Sequence, residues 1–363
     1  MFNKNRKHTS KVICFFVVDL FERGGLQRVT LYIAERLAQW YHVHIITFGD
    51  EKFRSIPYQY EKDKIKIHFV ERKHQKNKII SRFEEVRKIN KIISENNIDT
   101  IISAGMGSIS WTFLPQLINR CKYICWDHTS FLRKERWAIR GRLLSKIFAD
   151  NIIALTLKDS KMWKAKKVIC IYNPSPFADK HSRVNFSERK NVVIAIGRFV
   201  EVKGFERILT IWKNIENNQE LPFILKIYGE GPLEPQLRSK ILKEDIKNVE
   251  ILPYRKDIES VYAEAKIQIM GSYYEGLPMV LIEGQCCGVP AISYDIPSGP
   301  SEILEDDKTG YLIADNDQTK FTHMLSELMK SSATNERLSE CSYQNSKKFS
   351  INKIIKDWKS LLG

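Results

Sequence analysis

Short, mostly apolar runs alternate with amphipathic segments along the whole chain, and this alternation restricts the fold more than any other sequence feature. Each run is four to seven residues long, which suits a strand and is too short for an ordinary helix. Strands that alternate with helices form parallel sheets from βαβ units, so the predicted fold class is α/β. Seven strands are predicted in the first half, at Val12–Val18, Val43–Phe48, Ile65–Val70, Thr100–Ser103, Tyr123–Trp126, Ile152–Leu155 and Val168–Ile171. Five more are predicted in the second half, at Val192–Ile196, Phe223–Tyr228, Val249–Leu252, Ile267–Met270 and Ala291–Tyr294.

A chain of 363 residues is long enough for two ordinary domains. The segment from about Pro174 to Lys190 is polar, contains proline and lacks a periodic pattern, so it is interpreted as the linker. The tail Ile351–Leu362 carries an apolar stripe at helical spacing and must dock on an apolar surface. We therefore predict two Rossmann-like domains that face each other across a cleft. The first spans residues 1–180 and also includes the terminal helix at 347–363, and the second spans residues 181–346.

The net charge of +15 is concentrated in one half of the chain. Residues 1–180 hold 34 Lys and Arg against 17 Asp and Glu, a balance of +17, whereas residues 181–363 have a balance of −2. Such a field attracts a polyanion or an anionic bilayer, although a merely solvated basic surface is the alternative. The segment Phe131–Phe148 mixes six cations with aromatic and aliphatic residues, and Glu71–Phe83 forms a second basic patch.

The seven cysteines are scattered and odd in number. Cys121 and Cys125 have a spacing that suits a metal, but no matching second pair exists, so buried reduced thiols and a cytosolic compartment are expected. No apolar run approaches the roughly 20 residues that a membrane-spanning helix needs. The early run Val12–Val18 stops at Asp19 and is interpreted as a buried strand rather than a signal peptide.

Two glycine-rich turns follow predicted strands, where ligands bind in α/β proteins. Gly24 and Gly25 open a helix after the first strand, and glycine there lets backbone amides approach an anion. A plain tight turn explains them equally well. The stretch Gly229–Pro232 resembles half of a dinucleotide fingerprint, but its third glycine is missing, so its expected role is a turn that leaves room for a donor.

Two cations follow the first strand of the second half, within the stretch Gly197–Gly204, "GRFVEVKG". Arg198 leaves the strand end, and Lys203 follows within one loop. An unpaired cation gains nothing from burial, so packing explains the pair poorly. Both suit a diphosphate, which Arg binds as a planar fork and Lys as a point charge. Solvated surface cations are the alternative.

Two carboxylates eight positions apart, Glu275 and Glu283, flank a turn and a short apolar run in "YYEGLPMVLIEG". Gly276 and Leu277 form the turn, and Pro278 is expected at the first helical position, where its missing N–H costs nothing. The helix start then directs free amides and the positive end of its dipole into the cleft. A carboxylate is a strong two-point acceptor for a vicinal diol, and a nucleotide sugar offers diols on both its hexose and its ribose. Glu275 is therefore predicted to hold hexose hydroxyls and Glu283 the ribose, with the phosphates between them. Two surface glutamates on a helix face are the alternative.

These motifs resemble the retaining glycosyltransferases of the GT-B fold, and within them glycosyltransferase family four. The resemblance rests on G-R-x4-K-G at Gly197–Gly204 and E-x7-E at Glu275–Glu283, with "IYNP" at Ile171–Pro174 and "DIPSGPSEI" at Asp295–Ile303. It is similar above all to members that build bacterial lipopolysaccharide or capsule. The resemblance covers nearly the whole chain, strongly in the second half and loosely in the first.

The resemblance implies a role for each candidate residue. Arg198 and Lys203 carry the donor diphosphate, Glu275 positions the transferred sugar and Glu283 takes the ribose. The loop of Gly24 and Gly25 lies near the donor phosphates. The segment Trp126–Ser130, "WDHTS", resembles the strand end that supplies a sugar-contacting histidine, so His128 is the candidate. A purely structural histidine is the alternative there.

The implied activity is transfer of a hexose from a nucleotide diphosphate sugar, expected to be a UDP-hexose, with the anomeric configuration retained. The acceptor is a hydroxyl of a lipid-linked glycan such as lipopolysaccharide core, O-antigen or capsule. The cations replace the magnesium that other transferases need, so neither a metal nor another cofactor is expected. The basic first half implies a peripheral position on the inner face of the cytoplasmic membrane.

Other classes explain less of the sequence. A nucleic-acid-binding protein accounts for the charge but not for Arg198, Lys203, Glu275 and Glu283 at strand ends. A nucleotide-sugar epimerase or dehydrogenase accounts for the glycines, but no Tyr-x3-Lys pair stands where such an enzyme needs its base. A glycan phosphorylase shares the two-domain plan but requires a lysine-bound pyridoxal site that the sequence does not reveal.

Overall fold

The structure is a computed structural model and describes residues 11–50, 54–72, 78–179, 184–218 and 222–363. The chain divides into two compact units. The first comprises Met1–Asn173 together with Asn352–Gly363, and the second comprises Pro174–Ile351. Each unit contains one parallel β-sheet with helices, which confirms the predicted α/β class.

The first unit has a seven-stranded sheet in the order β3-β2-β1-β4-β5-β6-β7. Its strands are β1 (Val12–Val17), β2 (His42–Phe48), β3 (Ile65–Val70), β4 (Thr100–Ala104), β5 (Lys122–Asp127), β6 (Asn151–Ala154) and β7 (Val168–Cys170). Its helices are α1 (Gly25–Leu37), α2 (Lys78–Glu95), α3 (Ile109–Asn119), α4 (Arg136–Phe148) and α5 (Leu157–Met162). All seven strands predicted for this half are present. The strand order reverses at β1, which is the point where doubly wound sheets bind ligands.

The second unit has a six-stranded sheet in the order β10-β9-β8-β11-β12-β13. Its strands are β8 (Val192–Ile196), β9 (Ile224–Tyr228), β10 (Val249–Leu252), β11 (Ile267–Met270), β12 (Ala291–Asp295) and β13 (Gly310–Ala314). Its helices are α6 (Phe205–Asn218), α7 (Glu234–Lys243), α8 (Ile258–Glu264), α9 (Met279–Cys286), α10 (Pro300–Ile303), α11 (Gln318–Lys330) and α12 (Ser332–Ser346). The order reverses at β8, so the loops after β8 and β11 lie side by side.

Strand β13 is missing from the sequence prediction, which was wrong in giving this half five strands. The strand opens on Gly310 and closes on Ala314, so its run of large apolar residues is only Tyr311, Leu312 and Ile313. It pairs with β12 alone, from Ala291 opposite Gly310 to Asp295 opposite Ala314. An edge strand is stabilised by pairing with one neighbouring strand, and the sequence of β13 alone does not reveal this pairing.

The terminal helix α13 (Ile351–Leu362) packs on the first unit. The ring of Trp358 lies 4.9 Å from that of Trp126 and 5.9 Å from that of Phe15, measured between centroids. Trp358 is completely buried. The helix end is held by Lys11, whose Nζ donates to the carbonyl of Leu362 at 3.0 Å. The apolar stripe of the tail is therefore buried against strands β1 and β5.

We expect Trp358→Ala to lower the free energy of unfolding of the first unit by about 3–5 kcal/mol, because it leaves a cavity between α13 and the sheet. The measurement is a thermal and denaturant unfolding series on the full chain. Trp137→Ala is the matched control, since Trp137 is 42% exposed and leaves no cavity. Equal losses in the two variants would show that α13 does not stabilise the unit through this ring.

The cysteines are free thiols, and five of the seven are buried. Burial raises the pKa of Cys121 to about 11 and that of Cys125 to about 12. Both are therefore protonated thiols at neutral pH, and in the described part of the chain they belong to no group of three or more metal-ligating side chains. Cys121 directly precedes β5 and Cys125 lies inside this strand.

Most of the basic segment Phe131–Phe148 forms α4. One of its six cations, Arg142, is 6% exposed and binds inside the unit, so five remain for a partner. Part of the second basic patch, residues 73–77, lies outside the described residues. Within the described ranges, no helix combines the length and apolarity needed to cross a bilayer.

Candidate active site

The loops after β8 and β11 of the second unit touch each other. Gly204 closes the short turn Glu201–Lys203 with φ +62°, a left-handed conformation that favours glycine. A Cβ at Gly204 would overlap the carbonyl oxygen of Gly271 in the second loop. The N–H of Tyr273 donates to the carbonyl of Val202 at 2.8 Å. This close approach brings two sequence-distant loops together at the reversal point of the sheet.

Lys203 and Glu275 meet where these loops touch. Lys203 Nζ lies 2.6 Å from Glu275 Oε1, and Ser272 Oγ donates to the same oxygen at 2.7 Å. The hydroxyl of Ser298 donates to the main-chain carbonyl of Glu275 at 2.9 Å. The side chains of Lys203 and Glu275 are 25% and 10% exposed, so the pair is largely sheltered from water. The structure thus joins the predicted phosphate-binding cation to the predicted sugar-binding carboxylate.

Arg207 on α6 holds the loop that carries Glu275, and sequence reasoning missed it. Its guanidinium lies between the rings of Tyr273, 4.1 Å away, and Tyr294, 3.9 Å away. It donates to the carbonyls of Gly271 and Ser272 and pairs with Asp315 at 2.9 Å. One planar cation therefore fixes two successive carbonyls of the loop. Its role is identified only by its contacts with the two tyrosine rings and with the loop, and these lie far from Arg207 in the sequence.

Arg198 lies one residue beyond the glycine that follows β8 and is exposed, five positions before Lys203. Its neighbour Phe199 is buried, and the N–H of Phe199 donates to the carbonyl of Glu230 at 2.9 Å. A Cβ at Gly229 would overlap the carbonyl of Gly197, so glycine lets the loop after β9 pack on the end of β8. The diphosphate role of Arg198 and the donor-clearing role of the Gly229 turn stay predictions.

The turn before α9 is present, but the helix begins one residue later than predicted. Pro278 is the N-cap residue, with φ −70° and ψ 101°, and Met279 is the first helical residue. The carbonyl of Pro278 accepts from the N–H of Leu281 at 3.1 Å, as a cap residue does. Pro278 therefore ends the preceding turn instead of opening the helix. Leu277 is 6% exposed and anchors the turn, while Gly276 is half-buried.

Glu283 lies inside α9 and is 2% exposed. The phenol of Tyr262, on α8, donates to its Oε2 at 3.2 Å and also lies 3.1 Å from the carbonyl of Val280. Glu283 is thus enclosed by α8 and α9, unlike the surface glutamate of the alternative interpretation. Its binding of a ribose stays a prediction.

His128 belongs to the first unit and follows β5. Its ring packs against Trp126 with centroids 4.1 Å apart and planes tilted by 57°, and its Nε2 is buried without a hydrogen-bond partner in the described part of the chain. Burial lowers the pKa of His128 from 6.5 to about 3. The imidazole is therefore neutral at physiological pH and has an unused polar atom. This arrangement suits contact with a sugar hydroxyl, and the role stays a prediction.

Arg142 shapes the loop that carries His128. Its Nε lies 3.3 Å from Asp127 Oδ2, and its Nη atoms donate to the carbonyls of Ser130, Phe131 and Arg133. Burial raises the pKa of Asp127, an effect that the Arg142 charge opposes. Sequence reasoning counted Arg142 among cations for an external surface. Its partners show that it organises the loop from within.

The loop of Gly24 and Gly25 opens α1 as predicted. Gly24 is the N-cap residue with an extended backbone, and its N–H donates to the phenol oxygen of Tyr58 at 2.8 Å. The same phenol donates to the carbonyl of Gly24 at 3.0 Å. Tyr58 thus already engages both polar backbone groups of Gly24. Contact of this loop with donor phosphates stays a prediction.

The expectation of a metal-free site also rested on the absence of an Asp-x-Asp pair from both halves, and this premise was wrong, because Asp315 and Asp317 form such a pair. The structure gives both side chains other partners. Asp315 pairs with Arg207, and Asp317 caps α11 by accepting from the N–H of Lys320 at 2.9 Å. Among the described residues, no group of three or more His, Cys, Asp or Glu side chains is arranged to hold a metal.

Two protein-family models match successive parts of the chain. "Glycosyltransferase Family 4" matches residues 23–174 and "Glycosyl transferases group 1" matches residues 177–345. The amylovoran biosynthesis glycosyltransferase AmsD of Erwinia amylovora is 33% identical over 277 residues, covering 72% of this chain and 76% of that protein. The chain belongs to the group 1 glycosyltransferases. The resemblance drawn from the sequence motifs is confirmed.

Further relatives of this glycosyltransferase extend over nearly all of its length. The Campylobacter jejuni enzyme GalNAc-alpha-(1->4)-GalNAc-alpha-(1->3)-diNAcBac-PP-undecaprenol alpha-1,4-N-acetyl-D-galactosaminyltransferase is 26% identical over 356 residues, covering 96% of this chain and 97% of that one. The crystal structure of Anabaena HepE in complex with UDP-glucose superposes with a TM-score of 0.82 at 17% identity, covering 97% of this chain and 99% of HepE. At that identity the likeness establishes the fold, which is GT-B.

Proposed function

We propose that this glycosyltransferase moves a hexose from a UDP-sugar to a hydroxyl of a lipid-linked bacterial glycan and retains the anomeric configuration. The observation that carries the proposal is the contact of Lys203 with Glu275 at 2.6 Å in a sheltered position. In a nucleotide-sugar donor, one bond joins the diphosphate to the transferred sugar. The diphosphate needs a cation, and the hydroxyls of the sugar need a two-point acceptor. Side chains in contact therefore suit the two ends of that bond.

The costly event in this reaction is charge separation, because positive charge develops at the anomeric carbon and negative charge on the leaving phosphate. Lys203 and Arg198 stabilise the departing diphosphate, and Glu275 holds hydroxyls of the transferred hexose. The bond from the anomeric carbon to the phosphate oxygen breaks while the acceptor oxygen forms a bond to the same carbon, on the face of the sugar that the phosphate leaves. The acceptor proton passes to the leaving phosphate oxygen. Electrostatic stabilisation of this kind is often the largest catalytic contribution.

The nature of the substrates is supported by the relatives. HepE is described as a complex with UDP-glucose, and the Campylobacter enzyme is named for an acceptor on undecaprenol diphosphate. AmsD is named for biosynthesis of amylovoran. We propose the same classes here, a UDP-hexose donor and a lipid-linked acceptor of the lipopolysaccharide core, O-antigen or capsule kind.

A panel of nucleotide sugars tests this proposal. Purified protein is incubated with UDP-, GDP- and ADP-hexoses, and nucleotide release and thermal shift are scored for each. We expect a UDP-hexose to give the largest shift and the fastest release of UDP, and the product linkage to have the donor's anomeric configuration. Response to a GDP- or ADP-sugar alone would reject the UDP assignment, and an inverted product would reject retention.

We expect replacement of His128 by Ala to lower kcat/KM about tenfold or more, if the imidazole supplies one sugar contact as a positioned neutral group. Because burial lowers its pKa from 6.5 to about 3, the native pH profile should show no His128 titration between pH 5 and 8. The profile of kcat/KM against pH checks this for both proteins. An inflection near pH 6.5 that disappears in the variant would contradict a neutral His128.

The basic first half further supports attachment to the inner face of the cytoplasmic membrane, where a lipid-linked acceptor is found. Each Lys or Arg near an anionic surface contributes about 1 kcal/mol. Sedimentation with anionic vesicles at low salt tests the attachment. A protein that stays in the supernatant with such vesicles would refute it.

A further inference from the structure

Two neighbouring helices of the first unit carry exposed apolar side chains. Helices α3 and α4 pack together through Phe113 and Phe148, whose ring centroids are 5.4 Å apart. Exposure runs from 40% at Leu114 to 61% at Ile147. The α3–α4 surface is defined by six residues, Leu114, Leu117, Ile118, Ile139, Leu143 and Ile147. Large exposed apolar groups on adjacent helices mark an interaction site.

The exposure follows from the way α4 is seated. Its inward side consists of small or internally paired residues, and a Cβ at Gly141 would overlap the carbonyl of Met106. This close approach sets the rotation of α4 about its axis. Ile139, Leu143 and Ile147 are spaced four residues apart, so all three lie on the side opposite Gly141. The apolar stripe therefore points outward because the inner side is already filled.

Cations surround this stripe. Five exposed cations lie in or just before α4, at Arg133, Lys134, Arg136, Arg140 and Lys146. The acid beside them is Glu135, which pairs with Arg133 at 2.5 Å. Helix α3 has no charged residue. Apolar side chains flanked by Lys and Arg are the composition of a helix that lies in a membrane interface.

We propose that the α3–α4 surface inserts its apolar side chains into the headgroup region of an anionic bilayer while the flanking cations contact lipid phosphates. The inference deepens the membrane attachment proposed above and rests on it. A second copy of the chain fits less well, because a symmetric interface sets the same patch against itself and opposes cations to cations. An anionic lipid surface complements both the charge and the apolar stripe.

Insertion and pure electrostatic attachment differ in their response to salt. At about 0.5 M salt the screening length is only a few ångströms, so attraction between exposed charges is largely lost. Burial of apolar side chains does not depend on that attraction. Binding that rests on the α3–α4 surface should therefore persist in part at high salt, whereas binding through charge alone should vanish.

The test measures partition of the full chain onto vesicles of phosphatidylcholine with about one third phosphatidylglycerol. It is carried out in low salt and in 0.5 M salt, where the screening lengths are roughly 10 Å and 4 Å. The variant is Leu143→Gln with Ile147→Gln, which removes apolar surface and leaves every charge. The control is Leu242→Gln on α7 of the other unit, an 81% exposed leucine beside Lys240 and Lys243. We expect the double variant to bind at least about tenfold more weakly in high salt, and the control to match the native protein.

Three outcomes would overturn the inference. The first is that the double variant partitions like the native protein in high salt, and the second is that the control loses as much binding. The third is that the native protein forms a dimer through this surface and does not bind vesicles. Analytical ultracentrifugation without vesicles reports the last outcome. Vesicle binding is measured without substrate and donor turnover without vesicles, so failure here leaves the proposed transfer reaction separately testable. A Glu275→Ala variant should still bind vesicles.

Discussion

Replacement of Glu275 by Ala is expected to reduce hexose transfer by about a hundred- to thousandfold, the loss typical of one preorganised electrostatic contact in an active site. The carboxylate is 10% exposed and is held by Lys203 and Ser272, so the acceptor that we propose for the sugar is fixed in place. Alanine removes that acceptor and leaves Lys203 without the partner that orients it. The measurement is the initial rate of transfer and of UDP release with the preferred donor.

Glu275→Gln separates the two effects of this change, because it keeps the side-chain length and one amide oxygen while it loses the charge. We expect intermediate activity if hydrogen bonds to hydroxyls dominate. Thermal unfolding should be nearly unchanged in both variants, since the residue lies in a loop and not in the core. Transfer and hydrolysis at native rates in the alanine variant would eliminate Glu275 as a sugar-binding group.

Replacement of Lys203 by Ala is expected to lower turnover at least about tenfold, and up to the roughly 2.7–4 kcal/mol that removal of one charge-stabilising donor costs. The ammonium is fixed by Glu275 at 2.6 Å and by the turn that ends at Gly204. Because the negative charge on the diphosphate grows as the glycosidic bond breaks, kcat should fall more than KM rises. Steady-state kinetics over a range of donor concentrations provide this comparison.

Lys226→Ala is the matched control for Lys203→Ala. Lys226 pairs with Glu264 at 3.2 Å, with the two side chains 18% and 25% exposed, so its loss also breaks a half-sheltered pair in the same unit. We expect it to leave turnover within about a factor of two, because ion pairs of this kind contribute little and this one lies outside the two loops of the candidate site. If the two lysine variants lose activity equally, Lys203 has no special part in stabilising the diphosphate.

The sheet core was predictable because buried parallel strands read as short apolar runs. Strand β8 matches its prediction at both ends, and β1 differs by one residue. Strand β13 was missed although Thr100–Ser103, with only two large apolar residues, was predicted correctly, and the pairing of β13 with β12 is what identifies it. The start of α9 was predicted one residue too early, at Pro278 instead of Met279, because a proline in a cap and a proline in a first turn have the same local signal.

The candidate site was predictable as residue types but not as contacts. The motif spacing identified Lys203 and Glu275, whereas their bond joins residues 72 positions apart. Arg207 and Arg142 carried no local signal, because Arg207 acts on carbonyls 64 and 65 residues away and Arg142 acts on carbonyls of the loop that precedes its own helix. A guanidinium in the sequence is the same whether it faces a lipid or closes a buried loop.

Periodicity alone predicted that this chain builds two parallel sheets, and the resemblance of its motifs to a known family indicated a glycosyltransferase. Both inferences were possible because they depend on residues that are close together in the sequence. The tertiary structure decided which charges serve inside the protein and which remain outside. It paired Lys203 with Glu275, enclosed Glu283 behind Tyr262, buried Arg142 and left the stripe of α4 exposed. These outcomes depend on the approach of distant backbone segments, such as Gly204 against Gly271, and no local pattern records such an approach.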